Sequence, residues 1–195
     1  MVMSTSPKLN GADYLLILFY LPGGECTPIE GKTRITKMMF LFNKEVFPKL
    51  NLTALTPEDK LPRFEAYNYG PFSRDVHEQL YLFRNIGFLG MEERQLNNLD
   101  EVDLADDVLG LDEEDKLQSV DGPQTIERYF LMEQGKKFVQ DELLPHLNSD
   151  QVETLILFKK RINQMRLQDL LSYVYRKYPE YAVNSLIKDK VMKNV

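Results

Sequence analysis

The sequence predicts an α+β fold in which helices dominate and strands are few and short. Three observations predict it. Apolar residues recur at helical spacing in successive segments. Stretches of aromatic and β-branched character are short, around 63–69, 88–89 and 125–132. Glycine or proline punctuates most junctions, as at Pro22-Gly23-Gly24, Gly70-Pro71, Gly87, Pro145 and Pro179.

The elements follow in order. Asp13 to Leu21 fits strand or helix by periodicity; Asn10 or Asp13 as a cap and Pro22-Gly23-Gly24 as terminator point to a helix. Thr33 is placed to cap a second helix whose Ile35, Met38, Met39, Phe42 and Val46 form one buried stripe, leaving Lys32, Arg34, Lys37 and Lys44 for the loop and the polar face. A polar connection with Pro48, Pro57 and Pro62 leads to a short strand over Arg63–Tyr69, which Gly70-Pro71 ends. Ser73 then offers an N-cap oxygen, Asp75 suits the positive end of the helix dipole, and Val76, Leu80 and Phe83 make the stripe of a third helix that stops at Gly87.

Phe88-Leu89 and Thr125–Met132 are extended pieces that can pair as a hairpin. Glu133–Leu144 reads as a helix with Phe138, Val139 and Leu143 on one side, closed by Pro145. A helix from Ser149 groups Val152, Leu155, Ile156 and Ile162, and another from Leu167 carries Leu170, Leu171, Val174 and Tyr178 up to Pro179. A last piece, Ser185–Met192, puts Leu186, Ile187 and Val191 on one face. The order helix, helix, strand, helix, strand, strand, helix is that of a winged-helix-like core with a small antiparallel sheet and appended C-terminal helices. A bundle of helices alone stays open, because the strands are short.

This divides the chain into a winged-helix-like domain over 10–146, interrupted by an acidic insertion at 92–122, and a C-terminal helical extension over 147–195. The extension is expected to pack on the core or on the mate in a homodimer, since its apolar stripes otherwise leave a large exposed patch. With 43% hydrophobic residues the chain can form a core without disulfides or structural metal. One cysteine, Cys26, excludes an internal disulfide and a thiolate zinc cluster, and points to the reducing cytoplasm. The longest apolar run, Tyr14–Leu21, is far shorter than the about 20 residues a membrane span needs, so no membrane partner is expected. Net charge is −6, but residues 92–116 alone carry −9, leaving a body of +3. A solvated acidic loop is the simplest account, and an acidic segment opposing an anion-binding body is the sharper one.

No catalytic or metal-binding constellation emerges, and no cofactor is implied. Gly31-Lys32-Thr33 lacks the four-residue spacing from a preceding glycine that wraps phosphates, and the intervening Pro28 has no N–H to offer. His77-Glu78 has no second histidine in register for zinc, His146 is isolated, and the acidic stretch lacks calcium-loop spacing. Both histidines are expected at the surface. Lys32, Arg34, Lys37, Arg74 and Arg84 are the candidate contacts for an anion or for nucleic acid. Arg161, Arg166, Tyr173, Tyr175, Arg176, Lys177, Tyr178 and Tyr181 mix bases with rings, which suits nucleic acid but suits packing between helices better.

Tyr67-Asn68-Tyr69-Gly70-Pro71-Phe72-Ser73 forms a rigid corner: glycine opens a backbone region closed to other residues, proline fixes the next dihedral, and serine starts a helix. Tyr67, Tyr69, Gly70, Pro71 and Phe72 are the candidate partner-binding residues. The Tyr-Gly-Pro step resembles the signature of the Panacea, or SocA-like, antitoxin domain and of related bacterial and archaeal winged-helix-like proteins. Thr33-Arg34-Ile35-Thr36-Lys37-Met38-Met39-Phe40 is similar to the helix those families place before it, so that the resemblance spans residues 12–90. The acidic insertion departs from the family pattern. The resemblance implies a non-enzymatic antitoxin-like or adaptor-like module with a protein partner. The alternative is a transcriptional regulator whose helix after Ser73 reads duplex DNA; its Arg74, Asp75, Glu78 and Arg84 sum to zero, which argues for the protein partner.

Overall fold

The computed structural model describes residues 8–23, 27–95 and 125–193. Cys26 and residues 96–122 of the acidic insertion lie outside them.

Helix α1 (Gly11–Tyr20) starts at a reciprocal cap, in which Asn10 Oδ1 accepts from Ala12 N at 2.7 Å and the Asp13 carboxylate accepts from Asn10 N at 2.8 Å. Tyr14 to Phe19 are all buried. A helix apolar on every side belongs at the centre of a domain, and α1 is the axis around which the rest packs. Strand β1 (Ile29–Glu30) follows, and α2 (Lys32–Leu41) begins after Gly31 at φ +78°, roughly two residues earlier than a Thr33 cap would give. Thr33 is buried inside the first turn instead. The helix continues through a π turn (Phe42–Val46) into α3 (Phe47–Lys49), and the expected stripe of Ile35, Met38, Met39, Phe42 and Val46 is buried throughout.

Where one strand is expected the chain makes a tight hairpin, β2 (Glu65–Tyr67) and β3 (Gly70–Phe72), with Tyr67 opposite Gly70. The chain turns at Asn68-Tyr69, and Gly70-Pro71 begin the partner strand rather than end the first one. Ser73 Oγ accepts from Val76 N and opens α4 (Arg74–Asn85). Strands β4 (Leu89–Gln95) and β5 (Thr125–Leu131) pair antiparallel from Leu89↔Leu131 to Gln95↔Thr125, and β1 adds to the other edge of β5 through Ile29↔Tyr129. With the short α3 and the β2–β3 hairpin set between α2 and α4, the order helix, strand, helix, helix, strand, strand and the sheet order β1-β5-β4 follow the winged-helix pattern, α4 standing at the recognition-helix position and β4–β5 at that of the wing. The structure is mainly helical α+β, as the sequence predicts.

The C-terminal part comprises α5 (Glu133–Phe138), a second π turn (Val139–Leu143), α6 (Ser149–Gln164), α7 (Leu167–Lys177) and α8 (Lys188–Lys193). Leu155, Ile162, Leu170, Leu171, Val174 and Ile187 share one apolar core with α1 and α2. Helix α8 is shorter than the expected Ser185–Met192 piece, and Leu186 faces solvent at 71% exposure while Ile187 and Val191 are buried.

Two long cations staple these helices together. Lys159 Nζ on α6 donates to the carbonyls of Phe19 and Leu21 at the end of α1. Arg34 Nη1 on α2 donates to the carbonyls of Ile162 (2.6 Å) and Met165 (2.7 Å) at the end of α6. Both satisfy carbonyls that a helix C-terminus leaves without an internal partner.

Candidate functional site

The hairpin corner is held from two sides. Gly70 adopts φ +84°, and a Cβ built there would lie 2.5 Å from Cε1 of Tyr175 on α7. Conformation and close approach independently require glycine. The Tyr175 hydroxyl lies 2.8 Å from Ser185 Oγ, and burial pushes that phenol up to about 12. Tyr69, Gly70 and Pro71 are consequently buried, which corrects the expectation that all five corner residues face a partner. Tyr67, 43% exposed, and the half-buried Phe72 are the ones at the surface, their ring centroids 5.2 Å apart. Phe72 in turn meets the His77 ring at 4.8 Å.

Behind the corner stands Lys37, 3% exposed rather than on the polar face where its charge alone would put it. Counted along α2, it falls one turn after Thr33 and one residue after Thr36, and both threonines are buried too. Its Nζ donates to the Pro71 carbonyl at 2.9 Å, so α2 and β3 are joined by a buried hydrogen bond. Desolvation pushes the ammonium down to about 7. A cavity of about 10 Å³ adjoins it, lined by Thr33 and Thr36 from α2, Tyr67, Tyr69, Gly70 and Phe72 from the hairpin, and His77 from α4. That is the room one water oxygen takes.

His77 is half-buried here, against the expectation of a surface histidine. Thr36 Oγ1 gives its single proton to the Lys32 carbonyl at 2.8 Å. Its 3.1 Å contact with His77 Nε2 therefore has the ring nitrogen donating. Sequence reasoning singled out Lys37 and the corner separately but missed that Thr33, Thr36 and His77 join them. The available signal was the spacing Thr33, Thr36, Lys37, which lies on one helix face.

The remaining cationic candidates do not converge. Lys32 pairs with Glu127 at 3.4 Å, and Arg34 is used on α6 as described, which removes it from the surface set. Arg74 and Arg84 stand at opposite ends of α4, about 15 Å apart along its axis. On the wing, Arg94 forms a two-point pair with Glu30 (2.9 and 3.2 Å) and Arg128 meets Glu92 at 3.0 Å. The exposed apolar side chains of the α4 segment are Tyr81, Leu82 and Ile86. An open depression of about 470 Å³ runs beside Leu82, between α4 and residues 59–63.

The aromatic and basic cluster of the C-terminal helices is a packing device. Tyr178 and Tyr181 set their rings against Phe40 at 5.0 and 4.8 Å, and Tyr175 is buried. Glu45, carried on the first π turn, accepts from the Tyr173 hydroxyl (2.9 Å), the Tyr178 hydroxyl (3.1 Å) and Lys177 Nζ (3.0 Å). The hydrogen bond to Tyr173 and the charge of Glu45 raise the Lys177 ammonium above its usual range. Among the described residues no group of three or more His, Cys, Asp or Glu is set to hold a metal ion, and no helix is long and apolar enough to cross a membrane. A scan against protein-family models and a search of the curated proteins find no match to this chain.

Proposed function

We propose that this chain is a non-enzymatic regulatory module of the cytoplasm, antitoxin-like or adaptor-like, that binds a protein partner at the Tyr67–Phe72 corner. The observation that carries the reading is the character of the exposed surface where a winged helix meets its target. Tyr67, Tyr81 and Leu82 are exposed apolar side chains, whereas the charges of α4 cancel and the arginines of the wing are paired with glutamates. Large aromatic and aliphatic anchors suit a protein surface. Duplex DNA instead requires cations able to release phosphate counterions. The resemblance of Tyr69-Gly70-Pro71 to the antitoxin-domain signature supports the same partner class.

The second reading, a DNA-binding regulator, is favoured by one observation: α4 occupies the recognition position of a winged helix. Affinity capture from the native cell under nuclease treatment, paired with a genomic DNA pull-down at about 0.15 M salt, separates the two. A reproducible protein partner is expected, lost on Tyr67→Ala without loss of thermal stability. Sequence-specific duplex binding with no such partner would overturn the proposal.

A further inference from the structure

The corner buries the Lys37 amine, beside which no carboxylate stands among the described residues. Lys37 Nζ has three N–H donors, and its hydrogen-bond partner among the described residues is the Pro71 carbonyl, with no carboxylate in ion-pair range. A buried ammonium in this condition is costly unless another group completes it. The adjoining cavity is large enough for one oxygen atom. Its walls include the hydroxyl side chains Thr33 and Thr36, and the rings of Tyr67 and Phe72 stand where the corner reaches the surface. Thr36 Oγ1 is already engaged with Lys32 and His77, so on the α2 wall Thr33 and Lys37 Nζ are the groups with hydrogen-bonding capacity for a newcomer.

We propose that this cavity is a carboxylate socket, in which one oxygen of an Asp or Glu side chain from the protein partner meets Lys37 while Tyr67 and Phe72 shield the pair from water. The inference rests on the docking corner proposed above and names the group that corner recognises. Charge complementarity selects an anion, and the volume selects an anion that offers a single oxygen on a thin stem. A side-chain carboxylate does so through one or two methylenes. A chain-terminal carboxylate carries its substituents directly on the next carbon, which makes it the bulkier group to bring to a water-sized space. Water exclusion by the aromatic rim strengthens the ion pair, as at the desolvated centre of an interface.

Sodium formate is the first probe, because its oxygen enters a water-sized space and its presence requires no knowledge of the partner. In the full chain, the ¹H–¹³C resonances of the Lys37 ε-methylene are expected to shift saturably with formate and not with chloride at equal ionic strength. Lys37→Met, folded by circular dichroism, is expected to abolish the thermal stabilisation that formate gives the wild type. Should that variant not fold, Thr33→Val is expected to weaken formate binding roughly two- to tenfold, the effect of one hydrogen bond. No saturable shift, an equal response to chloride, or unchanged affinity in Thr33→Val overturns the socket.

The source of the carboxylate is tested with an N-acetylated, C-amidated Phe-Asp-Phe peptide, its Asn counterpart, and the Asn peptide with a free chain end. Binding by the Asp peptide alone is expected; equal binding by all three, or binding by the free-ended peptide alone, overturns a side-chain source. If formate fails while Tyr67→Ala still abolishes partner capture, the socket is lost and the docking corner stands. If Tyr67→Ala leaves capture intact, the corner itself is lost.

Discussion

Gly70 is a position at which two constraints act on one atom. An added methyl would have to occupy the ring of Tyr175 while the backbone keeps φ +84°. The left-handed conformation costs an L-residue about 1–2 kcal/mol, and forcing a methyl into packed atoms adds about 1–3 kcal/mol. Gly70→Ala is therefore expected to destabilise the fold by about 2–5 kcal/mol in urea unfolding at constant m-value, and a loss below about 0.5 kcal/mol would show that the corner relaxes freely. The glycine was legible in the sequence because few residue types can turn a chain so sharply. Lys37 was not. A lysine is assigned to the surface by its charge, and only the packing of β3 and α4 over α2 decides otherwise.

Lys37 also gives stability a pH dependence of defined sign. In the folded chain its ammonium titrates at about 7, and in the unfolded chain at its ordinary 10.5. Between those values the unfolded chain holds a proton that the folded chain has released, so stability rises with pH across the window and declines again as pH falls towards 7. A slope approaching about 1.4 kcal/mol per pH unit is the upper bound for one proton. Tyr67, Tyr69, Tyr175 and His77 around the corner are common to wild type and variant. Urea unfolding between pH 7 and 9.5 is expected to show a shallower rise in Lys37→Met, and equal slopes in the two proteins would assign the dependence to other groups.

At the scale of elements, the π turn Phe42–Val46 carries Glu45, whose carboxylate serves Tyr173, Tyr178 and Lys177. A π turn inserts a residue into the helical register, so side chains beyond it face differently from a uniform helix. Removing the acceptor leaves two phenols on α7 and its end without their shared partner. Glu45→Ala is expected to cost about 1.5–3 kcal/mol, the range for hydrogen bonds to a charged group. A double-mutant cycle with Tyr173→Phe is expected to give a coupling above about 0.5 kcal/mol; additivity would mean that Glu45 acts through α2 alone. Neither π turn is readable from apolar spacing, because the stripe of α2 runs through the first unbroken. The β4–β5 hairpin was legible only at its base, Phe88-Leu89 against Thr125–Met132; Glu92 to Gln95, assigned by their charge to the acidic insertion, instead extend β4 along β5. Strand β1, with two residues, and the β2–β3 turn at Asn68-Tyr69 leave no periodicity to detect.

For the whole molecule, the division at 147 separates parts that share one core. α6 and α7 lie on α1 and α2, Leu186 N donates to Asn68 O at 2.8 Å, and Asn184 Nδ2 donates to Ala66 O at 3.1 Å, so the C-terminal segment also covers the corner hairpin. Truncation after Asn148 is expected to expose the apolar sides of both central helices. Loss of a cooperative thermal transition, or a shift to higher oligomers by light scattering, is the anticipated result; an unchanged transition and monomeric mass would make the first domain self-sufficient. The helical character and the order of elements were legible because they rest on local spacing. The union of the two parts was not, because it rests on contacts such as Arg34 to Met165 that span most of the chain.

The staple between Lys159 and the end of α1 has a consequence for synthesis. The carbonyls of Phe19 and Leu21 leave the ribosome long before the lysine that satisfies them, with 138 positions between Leu21 and Lys159. Until then the most apolar helix of the chain has neither its end partner nor its α6 wall. Early collapse onto α2 is therefore provisional, and the native arrangement is reached only when nearly the whole chain has emerged. Through most of translation α1 is thus an apolar segment still without its native cover.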